Sequence, residues 1–173
     1  MIEALTEQPL DEFMQQKVFA PLELNDTYFV VPKAREQDLT SFYNVVDGQL
    51  QLIETSAMSE FMSRPTSFSG GGGWDMLGNG GLVTSAGDFA KLLQLILADG
   101  SLGDVKILGP SLTAKLKTGA SDGLMRSEML PGCTYSYYYY LPEQQRLGVF
   151  LTHTLPFAHL NAIYRFNDLA VQQ

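Results

Sequence analysis

Residues 78–100 read GNGGLVTSAGDFAKLLQLILADG, and this stretch decides the fold class. Its second half is a helix with visible ends. Ser85 and Asp88 form a capping-box-like pair at the start, where a side-chain oxygen takes up an orphan amide of the first turn. Phe89, Leu92, Leu93 and Ile96 recur at helical spacing and predict the buried stripe. Gly100 closes the helix, because glycine enters the left-handed cap without a side-chain clash. The first half belongs to a longer run, SGGGGWDMLGNGGL at 69–82, which holds seven of the chain's 16 glycines. No regular element tolerates that density, so the run reads as a loop whose backbone passes close to something.

Working outward, the chain opens on MIEALTE, which reads as helix with no Ser, Thr, Asp or Asn before it. Residue 1 is therefore expected to lie inside an element, with a frayed N-terminal turn as the alternative. A second helix follows. Pro9 suits its first position, Asp11 and Glu12 favour its positive end, and Leu10, Phe13, Met14 and Phe19 form an apolar face that stops at Pro21. VVDGQLQLIE at 45–54 predicts a hairpin with Asp47-Gly48 as its turn. Beyond the central helix, Pro110-Ser111 opens a short helix with Leu112 and Leu116 expected inward. Residues 134–153 predict an antiparallel hairpin, TYSYYYYL and RLGVFLTH about a PEQQ turn. AHLNAIYRFNDLAVQQ predicts a terminal helix with Leu160, Ile163, Tyr164 and Leu169 on its apolar side. Helices interspersed with antiparallel pairs give an α+β chain.

The bounds agree with one domain. The chain has 173 residues, 45% of them apolar, and a net charge of −8. Such acidity opposes nucleic-acid binding, which needs a basic surface. No apolar run approaches the roughly 20 residues that span a bilayer. No export signal is visible, which makes the cytoplasm the default expectation. Cys133 is the single cysteine, so an internal disulfide and a multi-cysteine metal site are excluded. No cofactor is expected.

A nucleophile-elbow hydrolase needs Gly-x-Ser-x-Gly, and no serine has that context. The penicillin-recognising type needs Ser-x-x-Lys, which places a lysine one helical turn after the nucleophile. No serine here has lysine three residues on; Ser111 with Lys115 misses by one. Lys117-Thr118-Gly119 is a literal Lys-Thr-Gly, the strand motif that lines such sites. The same residues also read as a helix C-terminus, with lysine at the negative helix end and Gly119 as the stop. Ser121-Asp122-Gly123 lacks the Asn of a Ser-Asp-Asn motif and reads as a turn. The glycine loop lacks the Gly-Lys-Ser/Thr of a phosphate loop. His153 and His159 match no zinc spacing, and acidic pairs such as Asp11/Glu12 read as solvated helix faces. The tyrosines of 137–140 suit a strand with one buried and one partly wet face; a stacking platform for a sugar or base is the alternative.

Taken in order, four segments resemble the class C β-lactamase-like serine hydrolases, a family of β-lactamases, DD-peptidases and esterases. PLDEFMQQKVFAPLELNDTYF resembles the helix and "PL-x-M-x-x-T-x-F" exit that follow the family's tyrosine motif. GNGGLVTSAGDFAKLLQLILADG resembles its "GGL-x-S-T-A-x-D" loop and helix, ILGPSLTAKL its next helix, and LPEQQRLGVFLTH its closing hairpin. The Ser-x-x-Lys and Tyr-x-Asn motifs precede this region in the family, and neither occurs here. The resemblance therefore implies a partial β-lactamase/transpeptidase-like fold: one incomplete domain over 1–173, the family's C-terminal half. Counted back from Pro142, the family's Lys-Thr-Gly or His-x-Gly position falls near Leu130-Pro131-Gly132. The resemblance puts the substrate wall and an oxyanion amide at Gly132, Cys133, Thr134 and Tyr135, beside the literal-motif candidates Lys117, Thr118 and Gly119.

The resemblance also implies that the N-terminal strands of the family's sheet are missing. The hairpin would then expose a sticky edge. Self-association, strand exchange or pairing with a missing N-terminal segment is expected. Three functions compete: a catalytically silent relative, half of a split hydrolase taking a small ester or amide, and a module binding a protein or glycan through Tyr138, Tyr140 and the glycine loop.

Overall fold

The computed structural model describes residues 1–41, 43–52, 82–118, 137–141, 144–152, 154–155 and 160–171. Helix α1 (Ile2–Thr6) has no side-chain cap at its start. Helix α2 (Leu10–Met14) starts after Pro9, which stands in extended backbone as the cap, one place before the position expected for it. The Leu10 amide donates to Glu3 Oε1 at 2.9 Å and ties α2 to α1. Asp11 departs from the expected solvated face. It is half-buried, and its Oδ1 has no hydrogen-bond partner among the described residues. A π turn, Gln15–Phe19, extends α2 and ends on a buried phenylalanine.

A 3-10 turn (Lys33–Asp38) leads to strands β1 (Tyr43–Val46) and β2 (Gln49–Leu52), the expected hairpin. Asp47 and Gly48 have φ of 51° and 76°. Two consecutive left-handed residues match the right-handed twist of the flanking strands. The register puts Tyr43, Val45, Leu50 and Leu52 on one face of this hairpin and Gln49 and Gln51 on the other.

Helix α3 (Ala86–Leu97) carries the cap read from sequence: Ser85 Oγ accepts the Asp88 amide at 3.2 Å. Its inward stripe is shifted from expectation. Leu93 and Leu95 are buried, while Phe89, Leu92 and Ile96 are half-buried. Leu95 meets Phe19, Leu22 and Leu24 in the core. Two-residue strands β3 (Ser101–Leu102) and β4 (Val105–Lys106) form a tight hairpin.

Helix α4 (Pro110–Thr118) corrects one reading. Leu112 and Leu116 are 53% and 44% exposed, not inward. The buried position is Thr113, whose hydroxyl donates to the Pro110 carbonyl at 2.9 Å. Thr113 and Lys117, four residues apart, share the inner face, and the two leucines lie about 100° around the helix from it.

Strands β5 (Tyr137–Leu141) and β6 (Arg146–Phe150) pair antiparallel, Tyr139 opposite Gly148. Strand β7 (Thr154–Leu155) and helix α5 (Leu160–Val171) follow. β7 runs parallel to β1, giving a sheet of order β2-β1-β7. The β5–β6 hairpin meets a helix on each face. The Tyr138 ring stands edge-on to Phe89 of α3 at 5.2 Å, and Tyr139 lies 5.3 Å from Phe166 of α5. Phe150 also meets Phe166, at 5.6 Å. Both faces are thus used, where one partly wet face was expected. Phe166 turns α5 toward the hairpin and leaves Tyr164 and Leu169 59% and 63% exposed, a second correction. The side chains of Leu160 and Ile163 lie outside the described residues.

Candidate functional site

The polar centre of the described structure lies where two segments far apart in sequence meet at the start of α3. Asn25 and Asp26 form a turn, and Thr27, two residues on from Asn25, is buried. Tyr28 and Val83 then make an antiparallel bridge, with amide-to-carbonyl bonds of 2.8 and 2.9 Å in the two directions. The Ser85 amide reaches the Asp26 carbonyl at 3.2 Å.

Asp88 sits beneath this bridge with 5% of its surface exposed. Its Oδ2 accepts the Asp26 amide at 2.7 Å and the Thr27 hydroxyl at 2.9 Å. An ionised carboxylate only accepts, so the Thr27 proton goes to Asp88. The Thr84 hydroxyl, 2.8 Å away, then donates to Thr27. Lys91 Nζ stands 3.6 Å from Asp88 Oδ1 and donates to the Glu23 carbonyl at 2.6 Å. Arg35 pairs with Asp26 and, at 3.0 Å, with Asp38. The first turn of α3 adds its positive end. These acceptors are filled by the protein's own donors. The arrangement binds chain to chain and presents no activated nucleophile. Sequence spacing marks Asp88 only as the partner of the Ser85 cap. No local pattern signals its second role, because the partners lie 62 and 61 residues upstream.

Lys117 lies in the last turn of α4, half-buried. Its Nζ donates to the Leu97 carbonyl at 3.1 Å and to Asp99 Oδ1 at 2.7 Å. The amine thus sits at the negative end of α3. Thr118 ends α4, and its side chain lies outside the described residues. So do Gly119, Gly132, Cys133, Thr134, Tyr135, both histidines and the loop Gly70–Gly81. Tyr135, the last of the four wall candidates, precedes β5 by two residues in sequence, and the Tyr138–Phe89 contact seats that strand on the first turn of α3. Burial there pushes the Tyr138 phenol above its ordinary value. Tyr138 is half-buried, with one edge of the ring pair formed by Phe89. Among the described residues, no group of three or more His, Cys, Asp or Glu could hold a metal ion, and no helix is long and apolar enough to cross a membrane.

Comparison with known proteins adds four findings. The family model described as Beta-lactamase matches residues 1–171. A putative D-alanyl-D-alanine carboxypeptidase of Escherichia coli (strain K12) is 30% identical over 128 residues, covering 70% of this chain and 29% of that protein. Protein Rv1367c of Mycobacterium tuberculosis (strain ATCC 25618 / H37Rv) is 25% identical over 118 residues, covering 68% and 27%. The chain thus spans less than a third of the curated relatives it matches. The octameric penicillin-binding protein homologue from Pyrococcus abyssi has a TM-score of 0.52 at 21% identity, over 98% of this chain and 39% of that one. At that identity the likeness shows the fold alone: a mixed helix-and-strand arrangement matching part of the penicillin-binding fold.

Proposed function

Because the chain belongs to the beta-lactamase family, we propose that it is the substrate-wall portion of a penicillin-recognising serine hydrolase, silent by itself. Acyl transfer needs a nucleophile, a base and oxyanion donors in one place. The 173 residues contain neither Ser-x-x-Lys nor Tyr-x-Asn. Turnover of a small ester or amide therefore requires a segment that brings both motifs. In this reading Gly132–Tyr135, entering β5, supply backbone donors to the oxyanion and one wall of the cleft. Lys117 braces two helices and does not meet substrate. The observation that carries the reading is the family match over nearly the whole chain, combined with the absence of both motifs from it.

The test is intact mass after incubation with a fluorophosphonate, beside a heat-denatured control. No adduct is expected on the native chain alone. A stoichiometric adduct restricted to the native chain would reveal an activated serine and overturn the reading. Added to a family fragment carrying Ser-x-x-Lys, the chain is expected to promote labelling of that fragment's serine.

Self-association is a second reading, favoured by one observation. The β1–β2 hairpin presents an apolar face on which Leu50 and Leu52 are 62% and 58% exposed. The structural neighbour's description as an octamer agrees with it. A monomer at micromolar concentration by light scattering refutes this reading.

A further inference from the structure

The polar cluster under the Tyr28–Val83 bridge does more than cap a helix. The Tyr28–Val83 bridge joins two segments far apart in sequence and is the base that seats them on the start of α3. Two backbone bonds close that base. A pair this small does not hold alone in water, and closing a long loop opposes it entropically. The base needs a reinforcing contact, and Asp88 is placed to supply one. Its Oδ2 takes donors from the first segment, the Asp26 amide and the Thr27 hydroxyl. Its own amide is held by Ser85, on the second segment. The Thr27–Thr84 hydroxyl contact joins the two segments directly. Thr27 and Asp88 are both buried, so the Thr27 hydroxyl would lose its acceptor where water does not replace it freely.

We propose that Asp88 locks the Tyr28–Val83 bridge, a role separate from the Ser85 cap on the same turn. The carboxylate suits the task because one oxygen accepts two donors at once. Lys91 and the helix start balance its charge. The lock sets the register in which 82–85 enter α3.

Amide hydrogen exchange resolved by residue tests this. In Asp88→Ala, exchange at Tyr28 and Val83 is expected to quicken about tenfold or more, while Leu93 and Leu95 keep their protection. Asp88→Asn retains an acceptor oxygen and is expected to restore part of the protection. Ser85→Ala removes the cap, leaves the carboxylate, and is expected to spare the bridge. Should Asp88→Ala fail to fold, Thr27→Val removes one of the two bonds to Oδ2 at equal size and should open the bridge several-fold. The proposal is overturned by unchanged exchange at Tyr28 and Val83 in the folded variants. It is equally overturned by acceleration spread evenly to Leu93 and Leu95, or by Ser85→Ala opening the bridge as far as Asp88→Ala.

Discussion

Replacing Gly100 by alanine should be among the most damaging single-methyl additions in the described structure. Gly100 ends α3 with φ 89°, and its amide donates to the Leu95 carbonyl at 2.8 Å. A left-handed backbone costs an L-residue about 1–2 kcal/mol. That much is shared with Gly48 and Gly103, which also have positive φ but open space where a β-carbon would go. At Gly100 the new carbon would fall on the Leu108 carbonyl oxygen, 2.7 Å from its carbonyl carbon and 2.9 Å from its β-carbon. Leu108 cannot simply retreat. Its amide and that of Ile107 both donate to the Gly100 carbonyl, at 3.1 and 2.9 Å. Relieving the clash means giving up two backbone hydrogen bonds worth about 1 kcal/mol each. The sum for Gly100→Ala is about 3–4 kcal/mol, against about 1–2 kcal/mol for Gly48→Ala or Gly103→Ala. Urea unfolding followed by circular dichroism would read these differences. Thermal melting should show roughly 2–4 °C lost per kcal/mol for a chain of this size. A Gly100→Ala variant no less stable than Gly103→Ala would refute the steric reasoning.

Two other outcomes are expected. Lys117→Met should lower stability by about 1 kcal/mol, from one charged hydrogen bond and one largely exposed ion pair. It should leave labelling of a complemented Ser-x-x-Lys fragment intact, and loss of labelling at unchanged stability would instead make Lys117 a site residue. Tyr138→Phe should change the alkaline limb of the stability curve. Burial raises the Tyr138 pKa in the folded state, so the folded form holds its proton more tightly than the unfolded form. That contribution is complete below about pH 10 and is lost as pH rises through the folded value. Wild type should therefore lose stability above pH 10 more steeply than the variant, and parallel urea midpoints across that range would refute the assignment.

Family membership and element types were legible because they rest on local rules. The Ser85 cap, the Gly100 stop, the Asp47-Gly48 turn and the strand alternation of β5 and β6 are each set within a few residues by backbone sterics and hydrogen bonding. Side-chain facing was less legible. Leu112 and Leu116 were expected inward by helical spacing, yet α4 buries Thr113. A threonine that bonds its own helix carbonyl can be buried cheaply, and which side faces inward depends on what α3 presents. Tyr164 and Leu169 failed for the same reason: Phe166, meeting Tyr139 and Phe150, fixes how α5 is turned.

The long-range contacts belong to tertiary structure alone. Nothing near Tyr43 announces a parallel partner at Thr154, and nothing near Asp88 announces the Asp26 amide. By itself the sequence determined the five described helices, the β1–β2 and β5–β6 hairpins, and the absence of Ser-x-x-Lys and Tyr-x-Asn, while the 3-10 turn, the short β3–β4 pair and β7 carried no such signal. Those properties are local, so spacing and residue type decide them. Tertiary structure decided that Asp88 joins two distant segments and that Lys117 spans the end of one helix and the start of the next turn. Such pairings depend on where the folded backbone places donors and acceptors from segments 18 to 62 residues apart, which no local pattern encodes.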